Sequence, residues 1–153
     1  MRMLVAAVGK VRDPAFRDLW RDYSGRLNPA IELIEVEEKR PLSVSERRSR
    51  ESQLLQAALP PRMRLVALDG GGKMLDSEGL AAKLGAWRGD SPHGVAFLIG
   101  GADGHDAKLL AACDITLSLG PMTWPHQLAR VMLAEQLYRA DRILAGHPYH
   151  RGE

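Results

Sequence analysis

Two groups of residues in the last third of this 153-residue chain have the types and spacing for chemistry. The first is a pair of turns marked by glycine and proline. Gly100, Gly101 and Gly104 follow the apolar run Val95 to Ile99, and Ser118 to Gln127 reads SLGPMTWPHQ. Glycines at a strand end let the backbone approach a ligand closely and adopt positive φ. Pro121 and Pro125 restrict φ, so the second loop is stiff. A stiff loop holds its N–H and C=O groups in place, which suits recognition of an adenine edge at little ordering cost. Leu119, Met122 and Trp124 can supply apolar walls. The plainer readings are a tight strand-to-helix turn and a structural connection leading to His126. Two such loops after neighbouring strands favour a ligand. The second group is the tail His147-Pro148-Tyr149-His150-Arg151. Aromatics stack on bases, Arg holds phosphate, and His moves a proton near neutral pH. The plainer reading of the tail is a disordered terminus.

Other motifs carry less. GGADG does not fit the dinucleotide pattern G-x-G-x-x-G. DGGGK, from Asp69 to Lys73, invites a phosphate-loop reading and fails it, because Gly is missing at Ala67 and Ser or Thr at Met74. A flexible loop or a plain turn fits it better. Cys113 is the only cysteine, which excludes an intramolecular disulfide and a cysteine-based zinc site; beside Ala111, Ala112 and Ile115 it reads as a small buried residue. His147 and His150 have no Cys/His cluster around them, so no metal is expected. His126 reads as an N-terminal helix residue more than a base. His93 and His105 have no assignable role. Glu135 and Arg139 form a structural i,i+4 pair.

Alternating strand and helix patterns must position these loops. Strands are expected at Met3 to Val8, Ile31 to Val36, Leu65 to Leu68, Val95 to Ile99 and Ile115 to Leu117, the last short and central. Helices are expected at Pro14 to Tyr23 with Asp13 as cap, Ser43 to Leu59, Ser77 to Trp87 with Ser77 as cap, Asp106 to Ala112, and His126 to Ala145. This order predicts an α/β fold, a parallel-type sheet of about five strands covered by helices. No linker or repeat interrupts it, so one domain spanning 1–153 is expected. The last helix is apolar on two faces, Leu133, Leu137, Ala140 and Leu144 on one and Leu128, Val131, Met132 and Tyr138 on the other. One sheet covers one side. The other meets either a second subunit across a two-fold axis or more of its own domain.

The formal net charge is only +2, which excludes a strong field over the whole molecule. Sixteen of the 21 cationic residues are Arg, a type suited to phosphate and to stacking on bases, though high genomic GC content also enriches it. MRMLVAAVGKVRD has too short an apolar run for a signal peptide or a membrane span, so the expected location is cytoplasmic, with no membrane partner.

The order FLIGGADG, SLGPMTWPHQ, LARVMLAEQLYRA and HPYHRGE resembles the RlmH family of SPOUT-class methyltransferases, over essentially the whole chain and most densely from Phe97 onward. The resemblance implies a SPOUT α/β knot with a C-terminal trefoil knot, which periodicity alone does not show. It implies S-adenosyl-L-methionine as cofactor and methylation of N3 of a pseudouridine in helix 69 of 23S rRNA in the assembled ribosome, by a homodimer. Residue by residue, the cofactor contacts fall on Leu68, Gly100, Leu119, Gly120, Pro121, Met122, Thr123 and Trp124. Gly120-Pro121 stand where many relatives carry Ser followed by a small or basic residue, so backbone contacts are expected there. The tail Tyr149, His150 and Arg151 then belongs to the substrate site, with His150 as general base and Arg151 orienting phosphate or stabilising an imide anion. The alternatives are tRNA methylation on the same scaffold and a non-catalytic ribosome-binding protein.

Overall fold

The computed structural model describes residues 1–151. Gly152 and Glu153, the end of the expected 1–153 domain and of the tail motif, lie outside the described residues. The order is β1 (Met3–Val8), α1 (Pro14–Gly25), β2 (Glu32–Val36), α2 (Val44–Ala58), β3 (Arg64–Met74), α3 (Ser77–Asp90), β4 (Val95–Ile99), α4 (Ala107–Ala112), β5 (Ile115–Ser118) and α5 (His126–Leu144), then a 3-10 turn at Pro148–His150. The strands form one sheet in the order β2-β1-β4-β3-β5, every pairing parallel.

Both faces of the sheet are covered, and strand alternation decides what faces where. Met3, Val5 and Ala7 of β1, with Val66, Phe97 and Ile99, pack under α1, α3 and α5 against Trp20, Leu84, Leu133 and Leu137. Leu4, Ala6 and Val8, with Ala67, Ala96 and Leu98, pack against Leu55 of α2 and Leu109 of α4. The centre of the sheet is therefore apolar on both sides. Short polar side chains start the helices. Asp13 caps α1 through the Ala15 N–H, Ser43 caps α2 through Glu46, and Asp106 caps α4 through Leu109.

Several sequence expectations need correction. β5 lies at the sheet edge, not at its centre, because it pairs only with β3. The DGGGK segment is neither loop nor terminator, since β3 continues through it to Met74. Leu117 pairs with Leu68 and again with Lys73, so Asp69 to Gly72 form an irregular excursion within the strand. Asp69 closes it by accepting the Gly71 N–H at 2.9 Å. The cap of α3 is Asp76, which takes the Gly79 N–H at 2.7 Å, while the Ser77 hydroxyl donates to Gln136. Cys113 is half-buried, and burial beside Asp114 pushes its thiol up to about 11. Leu144 is exposed at the end of α5 instead of extending its buried face.

From β5 the chain runs through Leu119 to Pro125 over the ends of β3 and β4 and enters α5, which anchors at the end of β1. That course is consistent with the knotted C-terminus implied by the resemblance. Among the described residues no helix is long and apolar enough to cross a membrane.

Candidate functional site

In a parallel sheet all strands end on the same side, and ligands bind there. Here the carboxyl ends of β3 and β4, the loop after β5 and the start of α5 enclose a cleft of about 310 Å³. Its floor is Leu68 and Ile99 with Gly100, Gly101 and Gly104, and its far wall is Leu119 to Trp124 with His126 and Ala129. All eight residues matched to cofactor contacts, Leu68, Gly100 and Leu119 to Trp124, line this one cleft.

Local chemistry fixes each wall. Gly104 has φ +74° and its N–H donates to the Gly101 carbonyl at 3.0 Å, which turns the chain back over Gly100. A Cβ on Gly100 would lie 3.0 Å from the Gly104 backbone, so bare backbone is required there. The far wall is held from within. Ser118 Oγ accepts the Gly120 N–H at 3.1 Å and donates to the Gly120 carbonyl at 3.2 Å. Gly120 has φ +107°, a left-handed conformation that suits glycine. Trp124 Nε1 donates to the Leu119 carbonyl at 3.4 Å. The loop is thus tied at both ends, while the side chains of Met122 and Trp124 remain exposed.

Supporting residues that sequence reasoning missed stand behind these walls. Arg130 of α5 is 1% exposed. Its guanidinium donates to Glu35 at 2.8 Å, to the Val8 carbonyl at 3.0 Å and to the Gly9 carbonyl at 2.6 Å. It therefore bolts the start of α5 to the ends of β1 and β2. His105 is buried below the glycine turn, with Nε2 3.1 Å from the Leu98 carbonyl. Burial lowers its pKa, against the opposing pull of that carbonyl. Ser52 of α2 takes the Asp106 N–H at 3.0 Å, and Glu51 sits buried beside Gly101. Burial, with nearby Asp103 and Glu38, raises the Glu51 pKa against the pull of Arg47. The sequence carries no signal for these roles beyond polar residues inside otherwise ordinary helices and, for His105, a histidine in the loop before α4. His126 opens α5 as expected, and its ring also lines the cleft; burial and Arg130 lower its pKa.

The tail does not enter this cleft within the same chain. Tyr149 folds back on α5, its hydroxyl 3.2 Å from Glu135 and its ring edge-on to Tyr138 at 4.8 Å. Arg139 lies over the Tyr149 ring and pairs with Glu135 at 2.6 Å. His150 lies 4.0 Å from Glu78. Glu135 and Gln136 line a second, largely apolar cavity of about 730 Å³ between α1, α3, α5 and β5, bordered by Leu19, Met74 and Met132. This cavity meets the first at Leu68, Leu119 and Gly120. It is the larger of the two, but the turns that hold bare backbone at fixed positions belong to the smaller. Among the described residues no group of three or more His, Cys, Asp or Glu is placed to hold a metal ion.

Residues 1–150 match the family described as predicted SPOUT methyltransferase. The chain is 51% identical over 151 residues to the ribosomal RNA large subunit methyltransferase H of Rhodospirillum centenum, covering 99% of each. It is 52% identical to the protein of the same name from Paramagnetospirillum magneticum and 53% identical to that of Rhodospirillum rubrum, at the same coverage.

Proposed function

The chain belongs to the RlmH family of SPOUT methyltransferases, and we propose that it methylates N3 of a pseudouridine in helix 69 of 23S rRNA within the assembled ribosome. The observation that carries this reading is the convergence of Leu68, Gly100 and Leu119 to Trp124 on one strand-end cleft. S-adenosylmethionine supplies a methyl group activated on a sulfonium. The cleft fits its adenosyl part: bare backbone at Gly100, polar edges on a loop already tied by Ser118 and Trp124, and apolar contact from Leu68 and Leu119.

The protein then has two tasks. With the adenosyl part held by Leu68, Gly100 and Leu119 to Trp124, the cofactor would supply the methyl group and the protein would hold the nucleophilic nitrogen in near-attack geometry to it. It also removes the imide proton from N3, which needs a base within hydrogen-bond reach. His150 is assigned as that base. Arg151 orients a phosphate or stabilises the imide anion, and Tyr149 stacks against the substrate. No metal takes part.

A homodimer completes the reading. Leu19 and Met74 are exposed beside the apolar cavity that α5 borders, and a second copy covers this face. The ribosome is the partner, and the protein works in the cytoplasm.

The cofactor assignment is tested by calorimetric titration with S-adenosylmethionine. Gly100→Arg should abolish binding while circular dichroism stays near wild type, and unchanged affinity would remove the cleft from the mechanism. The substrate is tested by mass mapping of rRNA from a deletion strain. A methyl group still present at the helix 69 pseudouridine in that strain would refute the assignment.

A further inference from the structure

The cleft lies at one end of the sheet, and the segments that continue β1 and β2 emerge at the same end. Gly9 to Arg12 follow β1, and Glu37 to Arg40 follow β2. β1 is the direct neighbour of β4, whose end carries Gly100, and β2 lies one strand further out. With neighbouring strands about 4.8 Å apart, this rim starts roughly 5 Å from the cleft and extends to about 10 Å. It is also joined to the cleft wall: Gln127 Nε2 donates to the Lys10 carbonyl at 3.5 Å.

The charges on this rim are layered. The carboxylates lie underneath, with Glu38 only 8% and Glu37 24% exposed. The cations lie outside, with Arg12 76%, Lys39 77% and Arg40 62% exposed. Arg40 donates to Glu38 at 2.9 Å, and its guanidinium and backbone N–H hold that carboxyl down at about 2. Arg12 reaches Glu37 at 3.3 Å. Arg47 ties the loop from below, donating to the carbonyls of Glu38 at 2.9 Å and Arg40 at 2.7 Å. Arg12 and Arg40 are thus held by their carboxylates before any partner arrives, Lys39 lies 4.0 Å from Glu37, and the outermost charged groups of the rim are these three cations. This contrasts with a chain whose overall charge is only +2.

We propose that Arg12, Lys39 and Arg40 form a docking surface for the phosphodiester backbone of ribosomal RNA, set beside the cofactor cleft. The inference rests on the rRNA reading above. Phosphate suits this surface because guanidinium forks bind it in a planar, two-point fashion, and because prepositioned side chains lose less freedom on binding. The surface carries no base-reading chemistry of its own. It fixes the register of the RNA and leaves the choice of nucleotide to the site.

The experiment compares wild type, the triple variant Arg12→Ala/Lys39→Ala/Arg40→Ala, and the charge-keeping variant Arg12→Lys/Arg40→Lys. Binding to assembled ribosomes and to protein-free 23S rRNA is measured across a salt series, together with KM and kcat for methylation of ribosomes. Each lost phosphate contact should remove about 0.7–0.9 from the slope of log affinity against log salt, so the triple variant should lose roughly 2 to 3. Its KM for ribosomes should rise tenfold or more with kcat and S-adenosylhomocysteine affinity unchanged, and the charge-keeping variant should hold the wild-type salt slope while its KM rises less than that of the triple variant, because an ammonium keeps the charge and loses the two-point fork. An unchanged slope and KM, with wild type active, overturns the surface and leaves the activity standing. A triple variant that loses affinity for ribosomes while keeping wild-type affinity for protein-free RNA points to a ribosomal protein and also overturns it. An intact cofactor site with no methylation of rRNA by wild type defeats the rRNA reading itself, and the surface with it.

Discussion

The carboxylate of Glu51 fills the space that a side chain on Gly101 would take. Its Oε2 lies 2.8 Å from the position of a Cβ there, and Val8 closes the other side at 3.2 Å. Glycine at 101 is therefore demanded by α2 packing from behind, whereas glycine at 100 is demanded by the turn in front. Burial, with the nearby carboxylates of Asp103 and Glu38, raises the Glu51 pKa against the pull of Arg47. The glycine turn of the cleft thus rests on a carboxyl whose charged form is disfavoured by burial.

That relationship has a pH signature. A carboxyl whose folded pKa is raised penalises the fold at pH above its unfolded value, and the penalty is complete above the folded value. Glu51→Gln should therefore raise Tm at pH 7. About 1 kcal/mol corresponds to 2–4 °C in a chain of this size. The gain should shrink as pH falls toward the ordinary carboxylate range, where Glu51 itself becomes neutral. Scanning calorimetry of both proteins from pH 4 to 8 checks this, and a gain that stays constant across the range contradicts it.

The excursion in β3 makes its glycines unequal. A Cβ on Gly72 would lie 2.6 Å from the Leu117 backbone, while Gly70 has nothing within 4 Å. Gly72→Ala should push β5 off β3 and destabilise the protein by about 1–3 kcal/mol, the usual cost of overpacking. Gly70→Ala should change stability by less than about 0.5 kcal/mol, as surface substitutions do. Urea unfolding of the two variants decides; equal midpoints would mean that the second contact with Leu117 is not formed in solution.

Arg130 joins three elements through one buried guanidinium. Arg130→Ala leaves Glu35 and two strand-end carbonyls short of donors and should cost about 3 kcal/mol. Arg130→Lys should recover little, because one ammonium lacks the spread of the guanidinium fork. Denaturant midpoints give the cost. Since α5 starts at the cleft wall, cofactor affinity should fall in both variants, and full affinity in a destabilised Arg130→Ala protein would separate this anchor from the site.

Much of this architecture is legible in the sequence, for identifiable reasons. β4 reads correctly from Val95 to Ile99 because an unbroken apolar run bounded by glycines has one good interpretation. Asp13 and Ser43 read as helix starts because their side chains act on backbone only two or three residues away. β3 is misread because consecutive glycines normally end a strand, and only pairing with distant Leu117 keeps this one going. The edge position of β5 is equally non-local. In the site, the glycine and proline turns announce themselves through their own backbone chemistry. Glu51, Ser52, His105 and Arg130 do not, because their partners lie about 7 to 120 residues away and no local pattern records them.

The tail raises the last question. Tyr149 and His150 lie against α5 and α3 of their own chain, beside the large apolar cavity and outside the cleft. If a second copy covers that cavity across a two-fold axis, the tail of one chain comes to the cofactor cleft of the other. Each site then combines Leu119 to Trp124 of one chain with Tyr149 to Arg151 of its mate. The test is complementation between Gly100→Arg and His150→Ala/Arg151→Ala, substitutions that keep Tyr149 packed on α5. Each protein alone should be inactive. After subunit exchange of equal amounts, about half the dimers are mixed, and each mixed dimer has one site with both lesions and one with neither. Activity should recover to roughly a quarter of wild type when the two sites act independently. Verified exchange without recovery would falsify the shared site and return His150 and Arg151 to the service of their own chain.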